Sequence, residues 1–169
     1  VDVVFGGPPC QGFSLMGQRM LDDPRNLLVK EFVRLVEELK AKAFVFENVK
    51  GLTIGKHRVF LETLISTFDE AGYRVQVPWR VLNAKDYGVP QDRERLFLLG
   101  ARKGVTLPRY PEPTTSQEID LFSVNGRCRT PTCAEAISDI PDAESFSELM
   151  TSDAVAVKKW VASTDFARE

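Results

Sequence analysis

The fold of this chain is constrained most by an alternation of short apolar runs with stretches of helical periodicity. Two apolar runs, Val1 to Phe5 and Ala43 to Glu47, are typical of buried strands. Two series of apolar residues at helical spacing predict amphipathic helices: Leu28, Phe32, Leu35 and Leu39, then Leu61, Leu64, Ile65 and Phe68. We predict that the first helix begins near Asn26 and that the second ends at Gly72.

The period changes after Gly72. Apolar and polar residues alternate from Tyr73 to Val81, which predicts a strand with one wet face, and Pro78 indicates an edge position or a bulge. Leu96 to Gly100 is predicted to be the final strand. The resulting order of strands and helices indicates an α/β fold whose first strands are parallel and whose last strands are compatible with antiparallel pairing. Prolines divide the remainder, where short helices are expected at 132–138 and 152–162.

Cys10 follows the first strand, two glycines and two prolines. Functional sites in open α/β sheets lie at the carboxyl ends of strands, where such a rigid loop would expose a side chain. A free cysteine is more commonly a buried apolar residue. The polar segment from Gln11 to Ser14 favours the functional interpretation here.

Three motifs in this order resemble those of the cytosine-C5 DNA methyltransferase family. They are Pro8-Pro9-Cys10-Gln11-Gly12-Phe13-Ser14, Glu47-Asn48-Val49 and Gln91-Asp92-Arg93-Glu94-Arg95. The stretch from Leu82 to Pro90 is also similar, and the resemblance extends to about residue 142. It implies a partial Rossmann-like, S-adenosylmethionine-dependent methyltransferase sheet with helices on its faces.

The resemblance implies a catalytic set of Cys10, Glu47, Arg93 and Arg95. Cys10 would add to C6 of a flipped-out cytosine and so make C5 nucleophilic, because a thiolate both attacks and leaves readily. Glu47 would donate a proton at N3, which requires its protonated form and therefore a closed, buried site. Arg95 would hold the base and Arg93 would order the site, although charge runs more commonly form surface ion pairs.

The same resemblance assigns the remaining site residues. Gln11, Ser14, Asn48 and Gln91 are expected to contact substrate DNA or support the site loop. Pro9 and Leu28 are expected to face S-adenosylmethionine, the methyl donor, and no metal is expected.

Part of the family pattern is absent from this sequence. The chain has 11 glycines but no Gly-x-Gly, whereas the family binds its cofactor mainly at an upstream glycine-rich turn. We therefore expect a fragment, with residues 1–102 as catalytic core and residues 103–169 as an irregular, short-helical segment leading toward the target-recognition region. The expected partners are double-stranded DNA and the missing N- and C-terminal parts of the methyltransferase. Weak cofactor binding and slow turnover by the isolated chain are also expected.

Composition bears on the partner and the compartment. The net charge of −2 does not by itself favour DNA binding, and the missing recognition region would account for it. No membrane span or signal peptide is visible, and three cysteines do not suggest a disulfide framework. A bacterial cytoplasmic or nucleoid-associated location is expected. Cys128 and Cys133 are interpreted as ordinary thiols, and a zinc site is disfavoured because no further ligands accompany them in the sequence.

Two alternatives to an active methyltransferase remain open. The chain is compatible with an inactive or split methyltransferase fragment that acts as a subunit or interaction module. A hydrolase built on Cys10 and His57 is disfavoured, because His57 lies in a polar stretch beside Lys56 and Arg58. Trp79 and Trp160 are interpreted as packing residues.

Overall fold

A five-stranded mixed sheet forms most of the first part of the fold. Its central strand, β5, is the last of these five strands along the chain. The strands are β1 (Val3–Gly6), β2 (Ala43–Val49), β3 (Tyr73–Val75), β4 (Arg80–Asn83) and β5 (Glu94–Arg102). Their order is β1-β2-β5-β3, and β4 pairs with β5 on the same side as β3. The β1–β2 pair is parallel and every pair made by β5 is antiparallel, as the sequence predicted for the first and last strands.

This computed structural model describes residues 1–9, 27–55, 57–116, 128–157, 161–164 and 168. The chain divides into two compact units, the first comprising Val1–Asn83 with Glu94–Glu112 and the second comprising Ala84–Arg93 with Pro113–Glu169. These units are defined by how densely their residues pack and not by the function of each part. The boundary expected after residue 102, between catalytic core and recognition-side segment, therefore stays a prediction.

Two helices, α1 (Leu27–Glu38) and α2 (His57–Glu70), pack on one face of the sheet in the first unit. The fully buried ring of Phe44 on β2 contacts Phe32 of α1 edge-on and stacks on Phe68 of α2, with ring centroids 4.0 Å apart in the stacked pair. Tyr73 closes the same core from β3, where its hydroxyl lies within hydrogen-bonding distance of the carbonyl oxygens of Val36 and Ala41. Burial raises the pKa of this phenol.

The buried stripe of α1 differs from the one that the sequence pattern suggested. The helix buries Val29, Phe32, Val33 and Val36. Leu28, Leu35 and Leu39 are instead 52%, 42% and 45% exposed. Both sets of residues satisfy helical spacing, and the sheet selects the stripe that carries Phe32 because this ring fits against Phe44 and Phe46.

The predicted single strand over residues 73–81 is in fact two short strands. The backbone leaves the ladder after Val75 and resumes it at Arg80, with Pro78 in the gap. Proline has no N–H to donate to a neighbouring strand, so the backbone hydrogen bonds to β5 are interrupted around Pro78. The alternation of apolar and polar residues in the sequence continues across this interruption and so concealed it. The placement of this segment at the edge of the sheet agrees with the prediction from Pro78.

The second unit is built from short elements. They are β6 (Thr115–Ser116), β7 (Cys128–Arg129), α3 (Cys133–Ile137) and three single turns of 3₁₀-helix at Ala84–Tyr87, Ala143–Ser145 and Ser147–Met150. Thr132 and Glu135 form a capping box at the start of α3, which confirms the helix predicted at 132–138. The backbone N–H of Thr132, with help from Arg129, lowers the pKa of Glu135 to about 2.

The second predicted helix of this region is not found where the chain is described. Residues 152–157 are not helical. Ser152 hydrogen-bonds through its hydroxyl to the backbone of Ala154, a local bond that competes with helix formation.

Candidate active site

Glu47 and Asn48 end the apolar part of β2, beside the carboxyl end of the parallel strand β1. Because side chains alternate along a strand, Asn48 shares the helix-covered face with Phe44 and Phe46, whereas Glu47 points to the opposite face. Asn48 is 6% exposed and donates from Nδ2 to the carbonyl oxygen of Pro8 at 3.0 Å. Its Oδ1 accepts from the Val49 N–H, also at 3.0 Å. Asn48 therefore ties the Pro8 backbone to β2.

The backbone of Gly7 lies against the Glu47 carboxylate. A Cβ atom placed on Gly7 would lie 2.5 Å from Oε2 of Glu47, closer than real contacts allow. Only glycine leaves room for the carboxylate at this point. The glycine-proline segment that precedes Cys10 in the sequence and the end of β2 are therefore fitted to each other.

Arg95 joins Glu47 on the opposite face of the sheet. Val49 is paired with Arg95 across the β2–β5 ladder, which places Arg95 one step diagonally from Glu47. Its Nε lies 3.0 Å from Oε1 of Glu47, and its Nη1 donates to the carbonyl oxygen of Glu94 at 2.8 Å. The side chains of Arg95 and Glu47 are only 24% and 33% exposed, so this ion pair is partly shielded from water.

A second ion pair closes the same end of the β2–β5 ladder. Nζ of Lys50 lies 2.8 and 2.7 Å from the two carboxylate oxygens of Glu94. Sequence reasoning did not select Lys50. The pair depends on antiparallel register between residues 44 positions apart, which local sequence does not specify.

Some of the residues that the sequence analysis named lie outside the part of the chain that the structure describes. Cys10, Gln11 and Ser14 lie outside the described residues, as do Asn26, Lys56 and Trp160. Consequently the Cys10–His57 pairing, which the sequence disfavours, is not tested, although His57 itself begins α2. Trp79 packs against the hydrophobic core, as predicted.

The two residues assigned to the cofactor, Pro9 and Leu28, are both exposed. Leu28 lines a shallow groove of about 310 Å³ between the carboxyl end of β1 and α1, together with Gly6, Gly7, Pro8 and Leu35, among others. The walls of this groove are almost entirely apolar, and its ionisable residue, Glu31, is paired with Arg34. Such walls suit a flat ring or an aliphatic chain rather than a charged group.

Gln91 and Arg93 belong to the second unit. The carbonyl oxygen of Arg93 accepts from the Ala84 N–H at 3.0 Å. Gln91 lines a cavity of about 420 Å³ with Lys85, Asp92, Arg129 and Cys133, among others. Cys133 donates from its thiol to the carbonyl oxygen of Pro90 at 2.7 Å, so it fixes the loop just before Gln91.

Neither a metal cluster nor a membrane helix is found in the described ranges. No three metal-ligating side chains converge there, and Cys128 and Cys133 are free thiols. None of the helices described is both long and apolar enough to cross a bilayer.

Comparison with known proteins identifies relatives along nearly the whole chain. A sequence profile of the family described as C-5 cytosine-specific DNA methylase matches residues 1–166. Type II methyltransferase M.XorII of Xanthomonas oryzae pv. oryzae is 58% identical over 164 residues, which are 97% of this chain and 35% of the relative. Type II methyltransferase M.AquIA of Picosynechococcus sp. is 46% identical over 157 residues, covering 85% of this chain and 62% of the relative.

A solved structure supports the same kinship. A DNA modification methyltransferase encoded within a prophage (E. coli) superposes with a TM-score of 0.59 at 30% identity, over 84% of this chain and 36% of that one. The chain thus spans between about one third and two thirds of the length of these relatives.

Proposed function

Because the chain belongs to the C-5 cytosine-specific DNA methylase family, we propose that it forms the catalytic centre of an enzyme that methylates C5 of cytosine in duplex DNA. The observation that carries this proposal is the fit of Gly7 and Pro8 against Glu47 and Asn48. Cys10 follows Pro8 by two residues in the sequence, so the anchoring of Pro8 to β2 supports the proposal that Cys10 acts together with Glu47.

The proposed reaction begins with addition of the Cys10 thiolate to C6 of a cytosine turned out of the helix. The electron pair of the C5–C6 double bond then forms a C4–C5 double bond, and the electron pair of the C4–N3 double bond takes the proton that Glu47 gives to N3. C5 of this enamine would form the new bond to the donated methyl group, whose bond to the donor's sulfur breaks and leaves a neutral thioether. Arg95 holds the base through its planar guanidinium group. Its Nε, 3.0 Å from Oε1 of Glu47, also orients the carboxyl group, and this oxygen accepts the same contact once Glu47 has taken up a proton in the closed complex. Loss of the C5 proton and release of the thiolate complete the cycle after methyl transfer.

S-adenosylmethionine would supply the electrophilic methyl group. The apolar groove that contains Leu28 fits the uncharged parts of this molecule and not its charged ends, so this chain would provide one wall of the cofactor site. Pro9, an exposed residue three positions after the end of β1, would face the same ligand. We propose that Gln11, Ser14 and Gln91 contact the DNA or support the loop, whereas the buried contacts of Asn48 favour a role in positioning the loop. Arg93 is proposed to order the site.

The test is covalent trapping. A duplex containing 5-fluorocytosine cannot lose its C5 substituent, so an active Cys10 stays bonded to C6 after methyl transfer. With S-adenosylmethionine present, we expect a denaturation-resistant adduct on Cys10, located by mass spectrometry. Cys10→Ser should give none, and Glu47→Gln should slow its formation by about 10²–10⁴-fold, as for loss of a general acid. An adduct that persists in Cys10→Ser would overturn the assignment.

The second candidate is an inactive or split methyltransferase fragment that acts as a subunit or interaction module. The exposed apolar face of β1 favours this candidate, since Val3 is 52% and Phe5 is 82% exposed. The trapping reaction separates the two. An adduct at Cys10 in the intact protein supports the methyltransferase, and one that forms only after a separate second polypeptide is added supports the split version. No adduct in either case supports the inactive fragment.

The type II names of the relatives support a role in restriction-modification. The enzyme would then act in the bacterial cytoplasm or nucleoid. Bisulfite sequencing of DNA from cells that express the intact protein should show 5-methylcytosine within one short recognition sequence. Methylation scattered without a common sequence would argue against this role.

A further inference from the structure

An arginine-lined groove runs along the β3–β4 edge of the sheet, within the first unit. It has a volume of about 670 Å³, and its charged lining consists of Arg74, Arg80, Arg109 and Glu112. The groove therefore carries an excess of positive charge, although the chain as a whole has a net charge of −2. Such a local basic excess in a slightly acidic protein indicates a surface suited to an anionic partner.

The three arginines are held in different ways. Arg80 lies over the ring of Tyr110, 5.5 Å from its centroid, and 3.7 Å from a carboxylate oxygen of Glu112. Arg74 donates to the carbonyl oxygen of Val105 at 3.1 Å, which leaves its charge without a carboxylate among the described residues. Arg109 is exposed and likewise forms no ion pair with any residue that the structure describes. Two full positive charges are thus available to a ligand.

The groove shares a sheet face with the candidate active site. Arg80 is paired with Phe97 and Arg74 with Ala101 on β5, and Arg95 lies two residues before Phe97 on that strand. Side chains two residues apart point to the same face, so Arg95, Arg80 and Arg74 lie on the face of Glu47. Four residues of strand, or ~13 Å, separate the Arg80 and Arg74 positions, which corresponds to about four base pairs of rise along the axis of a DNA duplex.

We propose that this arginine groove binds the sugar-phosphate backbone of duplex DNA outside the target cytosine. The inference rests on the proposed function for the identity of the nucleic acid. Guanidinium groups make bidentate hydrogen bonds to phosphate, and contacts of this kind fix the register of a protein on a duplex without reading sequence. The groove would supply part of the basic surface that the overall composition of the chain lacks.

The test compares two double variants of the intact methyltransferase that contains this chain. Arg74→Ala with Arg109→Ala removes the two unpaired charges and leaves Arg80 on Tyr110. Arg34→Ala with Arg58→Ala is the matched control, because it removes two exposed arginines that pair with glutamates on α1 and α2. Both variants change net charge equally, and circular dichroism verifies that each is folded.

Fluorescence anisotropy with a labelled duplex gives the dissociation constant between 50 and 200 mM salt. The association constant K falls as salt rises, and each lost phosphate contact should make the negative slope of log K against log salt shallower by about 0.9. The groove variant loses two such contacts, so wild type should lose ~12-fold more affinity than this variant between 50 and 200 mM salt. The control should retain the wild-type slope. The double variant Arg74→Lys with Arg109→Lys should keep most of the wild-type slope, because the charge of the side chain sets the salt dependence and its shape does not.

Equal slopes for the groove and control variants would overturn the groove proposal. This outcome is separate from the fate of the proposed function, because covalent trapping at Cys10 tests the chemistry in the wild type. An adduct combined with equal slopes leaves the methyltransferase assignment intact and removes the groove. A lower slope without an adduct keeps the nucleic-acid surface and removes the chemistry.

Discussion

Gly7 is the residue whose side-chain size matters most to the candidate active site. The atom that an added Cβ would strike is the far end of the Glu47 side chain, which can move. The Glu47 carboxylate, and not the backbone, would therefore yield to a larger residue. This separates an effect on catalysis from an effect on folding.

For Gly7→Ala we expect a slower enzyme with an almost unchanged melting temperature. Displacement of the carboxylate by about 1 Å should cost on the order of 10²-fold in the rate of adduct formation. The rate is measured with the 5-fluorocytosine duplex and the melting temperature by calorimetry. Gly51→Ala is the control, since a Cβ there meets no atom within 4 Å. A normal rate in Gly7→Ala would show that the close fit has no catalytic role.

Tyr73 gives a prediction with a defined pH dependence. Because burial raises the pKa of its phenol above the ordinary 10.0, the stability due to this group is complete below pH 10 and is lost as pH rises through the folded-state pKa. Tyr73→Phe should cost ~1–3 kcal/mol at pH 7, since two buried carbonyl groups lose a partner. Its stability should then fall less steeply than that of wild type above pH 10. Urea unfolding at pH 7 and pH 11 measures both effects, and parallel losses in the two proteins would contradict the prediction.

Among the secondary-structure elements, β5 passes the aromatic core at a glycine. Gly100 on β5 is paired with Phe44, and a Cβ atom at Gly100 would lie 2.2 Å from the Phe44 ring. That ring is enclosed by Phe32, Phe68 and Tyr73 and so has nowhere to move. The strand can pass over the ring only where it lacks a side chain.

Gly100→Ala should consequently destabilise the fold by ~1–3 kcal/mol or more, as overpacking does in a close-packed core. Chemical denaturation measures the change, with Gly51→Ala again as the control. A loss below about 0.5 kcal/mol would mean that the core around Phe44 is looser than described here.

The elements also show where sequence patterns suffice and where they fail. The strand that ends in Glu47 and Asn48, the helix that ends before Gly72 and the helix after Thr132 are all visible in local sequence, because caps and apolar periods are local signals. The stripe of α1 was misplaced because Leu28 and Leu35 also satisfy helical spacing. The Glu47–Arg95 pair was suggested only by resemblance, since its geometry depends on the register of β2 with β5.

At the scale of the whole molecule, one face of β1 is exposed among the described residues of the first unit, where Val3 and Phe5 are 52% and 82% exposed. Both long helices pack on the opposite face of the sheet, and β1 is an edge strand. Exposed apolar edge strands promote association between chains. The sheet order itself was beyond sequence reasoning, because nothing local indicates that β5 inserts between β2 and β3.

We expect the 169-residue chain to self-associate through this face when it is isolated. Phe5→Ser should lower light scattering at high protein concentration without lowering the melting temperature, because Phe5 is 82% exposed. Met150→Ser is the matched control, an 87% exposed apolar residue that is not in the sheet. An equal drop in scattering for both variants would show that general surface hydrophobicity, and not the exposed face of β1, drives the association.

The position of β5 has a consequence for synthesis on the ribosome. Among the described strands, β3 and β4 pair with β5 alone, and β5 connects them to β2. Of the strand pairs in this sheet, β1–β2 is therefore the one that can form before residues 94–102 have left the exit tunnel. The Phe44 ring therefore waits for nearly sixty residues of translation before Gly100 covers it. A partly made chain of this kind exposes aromatic surface to chaperones throughout that interval.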